Sequence, residues 1–169
     1  MDSSELRSMQ AALKAGYRAD AASARTAVKA RGDYRDPGIT CTVEGWAGPV
    51  RAGLHRATGG DGRDACSGDI LLEALLACAG VTLRSVATAM NVTCRGAQLR
   101  ADGAFDARGT LGIDREVPVG VRDIVVSVEM DTDAEDAALE RLARATERYC
   151  VVGQSLREPV RFVIRRADR

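Results

Sequence analysis

The spacing of apolar positions changes several times along this chain, and each change marks an element. Residues 4–31 are rich in alanine and free of proline, with a thin apolar stripe of Leu6, Met9, Leu13, Tyr17 and Val28. That spacing predicts a helix capped by Ser3 or Ser4, which Gly16 could divide in two and which "RGDYRDPG" ends. At residues 39–45, Ile39, Cys41 and Val43 alternate with Thr40, Thr42 and Glu44. A period of two predicts a half-buried strand with the first set inward. "PVRAGLHRA" repeats the alternation after a turn at Trp46 to Gly48, so the pair is expected to form a hairpin. "TGGDGRDACSG" follows as a loop; its glycines match neither GxxxxGK[ST] nor GxGxxG.

The next segment has the strongest pattern. In "LLEALLACAGVTLRSVATAM" (71–90), Leu71, Ala74, Leu75, Cys78, Val81, Thr82 and Val86 recur at three- and four-residue steps, and further Leu and Ala fill the rest of the circumference. Ser67 suits an N-cap, Asp69 complements the helix dipole in the first turn, and the helix should end near Asn91. A helix apolar on so many sides should be buried centrally. Residues 91–111 resume an extended, interrupted pattern. "DIVVSVEMDTD" then reads as a strand with Ile124, Val126, Val128 and Met130 on one side. Thr132 or Asp133 should cap a second helix whose stripe is Ala138, Leu139, Leu142, Ala145 and Tyr149. "VVGQSL" fits a further short turn of helix, and "PVRFVIRRA" closes the chain as a strand.

Strands in hairpins, with helices not interleaved one for one, indicate an α+β fold and not a doubly wound one. We expect a helical extension over residues 1–36 and one domain over 37–169. The extension is either a weakly packed, solvated arm or an arm that clasps a second subunit.

Composition narrows the functions. At 169 residues, with 46% hydrophobic and 28% charged residues, the chain can bury a core without disulfides or metal. Basic and acidic residues number 24 each, and this balance argues against nucleic acid as the main partner. The N-terminus "MDSSELRSMQ" has no apolar stretch of the secretory kind, and no run of about 18 apolar residues stands out as a membrane span. A cytoplasmic location, where thiols stay reduced, is the expectation.

The five cysteines are Cys41, Cys66, Cys78, Cys94 and Cys150. Their odd number and wide spacing do not suit a disulfide framework, and with His55 as the single histidine they do not suit a structural zinc site. Packing accounts for Cys41 and Cys94. Cys66 precedes a helix N-terminus, where the dipole could lower its pKa. Periodicity alone makes Cys78 a packing residue.

The sequence around two of these cysteines resembles a known family. "SGDILLEALLACAGVT" is similar to the OsmC/Ohr signature, close to S-P-x-E-L-L-L-A-A-L-A-x-C-x-x-x-T, and "YCVVGQSL" is similar to its second motif, C-P-[VI]-S-x-x-L. The separation of Cys78 and Cys150 and the element order from about 38 to 167 suit the family as well. The resemblance implies an intertwined α+β homodimer that reduces organic hydroperoxides. Cys78 would be the peroxidatic cysteine and Cys150 the resolving one, with an external thiol or dithiol as reductant and no bound metal or organic cofactor. Peroxidase members also carry a Gly-Gly-Arg turn and a Glu ten residues before the cysteine. Here the turn is "EGWAGP", the acid is Asp69, nine before Cys78, and Arg51, Arg56 or Arg63 could supply the cation, Arg51 lying nearest the turn. The alternative within the same fold is a dimer without peroxidase activity, whose pocket binds an apolar small molecule or whose cysteines sense redox state.

Overall fold

A computed structural model of the chain describes residues 1–167. In chain order the elements are α1 (Ser3–Ala19), β1 (Gly32–Asp33), β2 (Thr40–Gly45), β3 (Gly48–Gly53), β4 (Ala65–Cys66), α2 (Ser67–Ala89), β5 (Gly96–Ala104), α3 (Ala107–Thr110), β6 (Arg122–Asp131), α4 (Asp136–Tyr149), α5 (Val151–Gln154) and β7 (Arg161–Arg166). Short 3-10 turns occupy Ala21–Ala24 and Arg56–Thr58. The mixture of helices with two small sheets is α+β, as expected. Residues 168 and 169, the end of the expected domain, lie outside the described residues.

The chain forms two compact units. The first comprises Met1–Thr26, Ala74–Asp102 and Asp123–Arg169; the second comprises Ala27–Glu73 and Gly103–Arg122.

In the first unit, the sheet order is β5-β6-β7. Along β6, Ile124, Val126, Val128 and Met130 are buried, as their alternation predicts. β7 lies parallel to β6, with Val126 opposite Phe162 and Val128 opposite Ile164. This corrects the antiparallel sheets that the resemblance to the OsmC/Ohr family and the hairpin pattern lead one to expect. A parallel pair needs a long crossover, and α4 supplies it. The periodicity of a strand carries no information about its direction.

α4 buries Leu139, Leu142, Ala143 and Thr146. Tyr149, assigned to the stripe from sequence, is 66% exposed. A helix of 3.6 residues per turn carries the stripe from 139 through 142, 143 and 146 to 150, so Cys150 takes the inward position. The expected caps also differ. Glu135 is the N-cap without a side-chain bond, while Thr132 Oγ1 accepts from Ala134 N and donates to the Thr93 carbonyl.

α2 buries one row, Leu75, Ala79, Leu83 and Ala87, at four-residue steps. Much of the remaining apolar circumference, including Leu71, Leu72, Leu76 and Val86, is only half-buried, and Val81 is 74% exposed. α2 is also long and apolar enough to cross a bilayer by length and composition, a property it shares with core helices. This qualifies the sequence reading that no run stands out as a span.

α1 is capped by Asp2, not by Ser3 or Ser4. The Asp2 carboxylate accepts from the N–H groups of Ser4 and Glu5, and Glu5 reaches back to the Asp2 N–H in a capping box. The helix passes through Gly16 and stops at Ala19, well short of residue 31, because Asp20 caps the next 3-10 turn. Leu6 is buried, whereas Met9, Leu13 and Tyr17 are exposed.

In the second unit, the order is β1-β2-β3-β4, with β2 and β3 in the expected hairpin. β1 pairs antiparallel with β2, so the sheet reaches back to Gly32. Arg35 fastens this corner through Asp33 and Glu44. The loop after β3 contains β4, parallel to β3. β2 is half-buried, as expected, but its one buried residue belongs to the polar set, while Cys41 and Val43 are half-buried. Thr42 is buried and donates to Asp36 Oδ2 at 2.6 Å, while Ile39 is 75% exposed. Satisfying its hydroxyl removes most of the penalty for burying threonine.

Candidate functional site

The site builds up from the junction between α4 and α5. α4 ends at Tyr149, and Cys150 adopts an extended conformation, φ −73° and ψ 102°, before α5 begins. The break comes where the inward stripe reaches Cys150, which is completely buried. Its sulfur accepts from the Gly153 N–H at 3.4 Å. Gly153 is itself buried, and a Cβ there would lie 3.4 Å from Cys150 Sγ and 3.6 Å from Leu75 Cδ1.

Cys78 lies three residues after Leu75 on α2, at the edge of the buried row, and is half-buried. Its sulfur accepts from the Val152 N–H at 3.5 Å, a contact spanning 74 residues of sequence. The Cys150 thiol, the Thr82 hydroxyl and the Val151 N–H are the other polar groups that act on it. Both cysteines are free thiols.

These contacts separate the two thiols electrostatically. Burial alone pushes the Cys78 thiol up, but the polar groups of Val152, Cys150, Thr82 and Val151 outweigh it and hold the group below the ordinary thiol value. Burial pushes the Cys150 thiol up, against the bond from Gly153, and the neighbouring Cys78 charge reinforces the rise. Donors favour the charged form of an acceptor, and a nearby like charge disfavours a second ionisation. The pair therefore suits one thiolate beside one thiol.

The other candidates lie in the second unit. Arg51 stands on β3 opposite Thr42, its Nε 2.5 Å from Asp64 Oδ1. This ion pair raises the guanidinium pKa above its ordinary value. Gly53 makes room for it, since a Cβ there would come within 2.8 Å of Asp64 Cβ. Arg63 pairs with Asp61 at 3.7 Å, and Arg56 is exposed in its 3-10 turn. Asp69 is exposed in the first turn of α2. Cys66 lines a cavity of about 230 Å³ with Leu54, His55, Phe105, Val119 and Val121. Sequence reasoning did not assign roles to the Val151 and Val152 N–H groups or to the Thr82 hydroxyl. The signal for Thr82 was present in its position, four residues after Cys78, but backbone donors leave no trace in side-chain identity.

The OsmC-like protein family model matches residues 60–165, more than half of the chain, and includes both cysteines. The chain belongs to the OsmC family. Solved structures share its fold at low identity. An OsmC-like protein from Mycoplasma pneumoniae is 14% identical over 85% of this chain and 100% of its own, with a TM-score of 0.66. An organic hydroperoxide resistance protein from Elizabethkingia anophelis is 10% identical over 86% and 99%, with a TM-score of 0.66. An organic hydroperoxide resistance protein OsmC from Legionella pneumophila is 14% identical over 85% and 100%, with a TM-score of 0.59. No curated protein matches the sequence.

Proposed function

We propose that this protein is a thiol-dependent reductase of organic hydroperoxides, with Cys78 as the peroxidatic and Cys150 as the resolving cysteine. The observation that carries the reading is the Val152 N–H bonded to the Cys78 sulfur at 3.5 Å, which sets that sulfur against the α4–α5 junction that Cys150 opens. The half-buried sulfur is the one disposed to ionise, and the fully buried sulfur beside it is disposed to keep its proton. The Cys78 thiolate attacks the terminal oxygen of the hydroperoxide. The O–O bond breaks, an alkoxide leaves and takes a proton from water, and Cys78 becomes a sulfenic acid. The Cys150 sulfur then attacks Cys78; its proton and the departing hydroxide form water, and a disulfide results. An external thiol or dithiol returns both cysteines to thiols by exchange.

The working form in this proposal is a homodimer. The partly covered apolar circumference of α2, with Val81 exposed, supports it, as do Ile39, Trp46 and Val50 exposed on and around the β2–β3 hairpin. Exposed apolar surface of this extent marks a site of association. Sedimentation equilibrium should give twice the chain mass; a monomer at tens of micromolar sinks this part of the proposal.

The activity is tested by mixing reduced protein with one equivalent of cumene hydroperoxide, counting thiols and mapping disulfides by mass spectrometry. Two thiols should disappear into a Cys78–Cys150 bond. Cys78 remaining free while peroxide persists would overturn the peroxidase reading in favour of a dimer that binds an apolar small molecule or senses redox state.

A further inference from the structure

The helix break at Cys150 takes a backbone bond from α4, and a side chain replaces it. In an unbroken helix the Val151 N–H would donate to the Glu147 carbonyl. Cys150 is extended instead, so α4 stops at Tyr149 and that carbonyl becomes one of the orphan acceptors of a helix end. Gln154 takes it up: its side-chain Nε2 reaches back seven residues and donates to the Glu147 carbonyl at 2.9 Å. The Gln154 backbone N–H donates to the Cys150 carbonyl, also at 2.9 Å. One residue therefore ties the far end of α5 to both sides of the break. We propose that Gln154 is a positioning residue of the thiol site: by strapping α5 to the end of α4, its side chain holds the Val152 N–H on the Cys78 sulfur and the Gly153 N–H on the Cys150 sulfur. The inference rests on the reading of Cys78 and Cys150 as the reacting pair and adds a residue to it.

Both donors belong to consecutive residues of one short turn, with the Val152 nitrogen 3.5 Å from Cys78 Sγ and the Gly153 nitrogen 3.4 Å from Cys150 Sγ. A single turn of helix is marginal on its own, because its first bond fixes several dihedrals at once. Its placement must come from ties at its two ends. At the start, Cys150 is the N-cap. At the end, Ser155 Oγ donates to the Val151 carbonyl at 2.8 Å, a bond that stays within the turn, whereas the Gln154 side chain crosses to α4. Without that tie the turn frays from its C-terminal side, and the Val152 N–H spends less time on the Cys78 sulfur. An N–H held on a sulfur favours its charged form, so the loss should register in the ionisation of Cys78. The titratable group among those that act on this sulfur is the Cys150 thiol. Gln154 itself is exposed, so replacing its side chain removes the tie without opening the core.

The test uses the full-length reduced protein. The rate at which iodoacetamide alkylates Cys78 is followed against pH from the mass of its peptide, for wild type, Gln154→Met and Gln154→Lys. Gln154→Met keeps the length of the side chain without a donor, and Gln154→Lys restores an N–H donor at similar reach. All three are measured in 0.5 M salt, which screens the charge that lysine adds. We expect the Gln154→Met midpoint to rise by about 0.3 of a pH unit, roughly a twofold loss of thiolate below both midpoints. Gln154→Lys should return most of that shift. A Gln154→Met midpoint equal to wild type, even with a lowered Tm, overturns the proposal, and so does a Gln154→Lys midpoint as displaced as that of Gln154→Met. Should Gln154→Met not fold, Gln154→Ala takes its place with the same expected shift. Because alkylation reports the thiol and not peroxide turnover, the two readings fail separately. A protein that leaves cumene hydroperoxide intact but shows the shift loses the peroxidase assignment alone; an active protein without the shift loses Gln154 alone.

Discussion

The two units of this chain bury their apolar residues very differently. The buried hydrophobic side chains, from Leu6 through Leu75, Val126, Met130 and Leu142 to Phe162, all lie in the first unit. In the second unit the buried position is a threonine, Thr42, and Ile39, Trp46, Val50 and Leu54 are exposed. Both units use strands with alternating patterns, so patterning does not explain the contrast. The first has α2 and α4 to lay over its sheet. The second has a hairpin, the first turns of α2 and the short α3, and no element there buries an apolar side chain completely. The first unit holds the buried apolar core, and apolar side chains remain exposed in both.

The largest effect should come from the first unit's chemistry. Cys78→Ser should reduce peroxide turnover to background, measured by loss of cumene hydroperoxide with excess dithiol, while Cys150→Ser should accumulate a sulfenic acid that a dimedone label detects. Turnover retained in Cys78→Ser would move the reacting group elsewhere. Next comes the first unit's core. Leu142→Ala removes a fully buried side chain and should cost about 2–5 kcal/mol in urea unfolding, the range for such cavities. A cost near zero would show that this unit is not the better packed of the two. A smaller effect is expected in the second unit. Trp46, fully exposed at the hairpin turn, is its largest uncovered side chain. Trp46→Ala should weaken self-association by about tenfold, roughly 1.4 kcal/mol, with little change in the unfolding of the monomer. Unaltered association would leave the hairpin's apolar residues without the role assigned to them.

The same contrast explains what could be read in the sequence. The elements of the first unit were legible because each has a buried face: β6 alternates as written, and α2 ends two residues before Asn91, whose φ of 54° closes it. Cys78 and Cys150 were legible by register with a family motif, and their meeting follows from α4 carrying its stripe to Cys150. In the second unit the alternation of Ile39, Cys41 and Val43 misled, because the one buried residue of β2 is Thr42. Pairing of only two residues in β1 and in β4 is below what a periodic pattern can reveal. The α1 boundary was overextended because alanine favours helix without defining an end, and Asp20 stops the helix by capping the adjoining 3-10 turn.

The smallest effect tests which region supplies the charge that supports Cys78. The groups that hold its pKa down are two N–H groups, a thiol and a hydroxyl, all neutral and all in the first unit. Arg51, in the second, is engaged by Asp64 at an exposed pair, where salt screens the interaction. Arg51→Ala should therefore leave the pH midpoint of Cys78 alkylation by iodoacetamide, followed from the mass of its peptide, close to wild type, and 0.5 M salt should hardly move it. The sign follows from the two thiols. Cys78, held below the ordinary thiol value, contributes stability that is present above that value and lost as pH falls through its own midpoint. Cys150, pushed up, contributes stability present below the ordinary value and lost as pH rises through its own. Cys78 should be alkylated at lower pH than Cys150 in wild type and in Arg51→Ala alike. Reversal of that order in Arg51→Ala, or a salt-dependent midpoint in wild type, would transfer the activating charge from the neutral donors of the first unit to the guanidinium of the second.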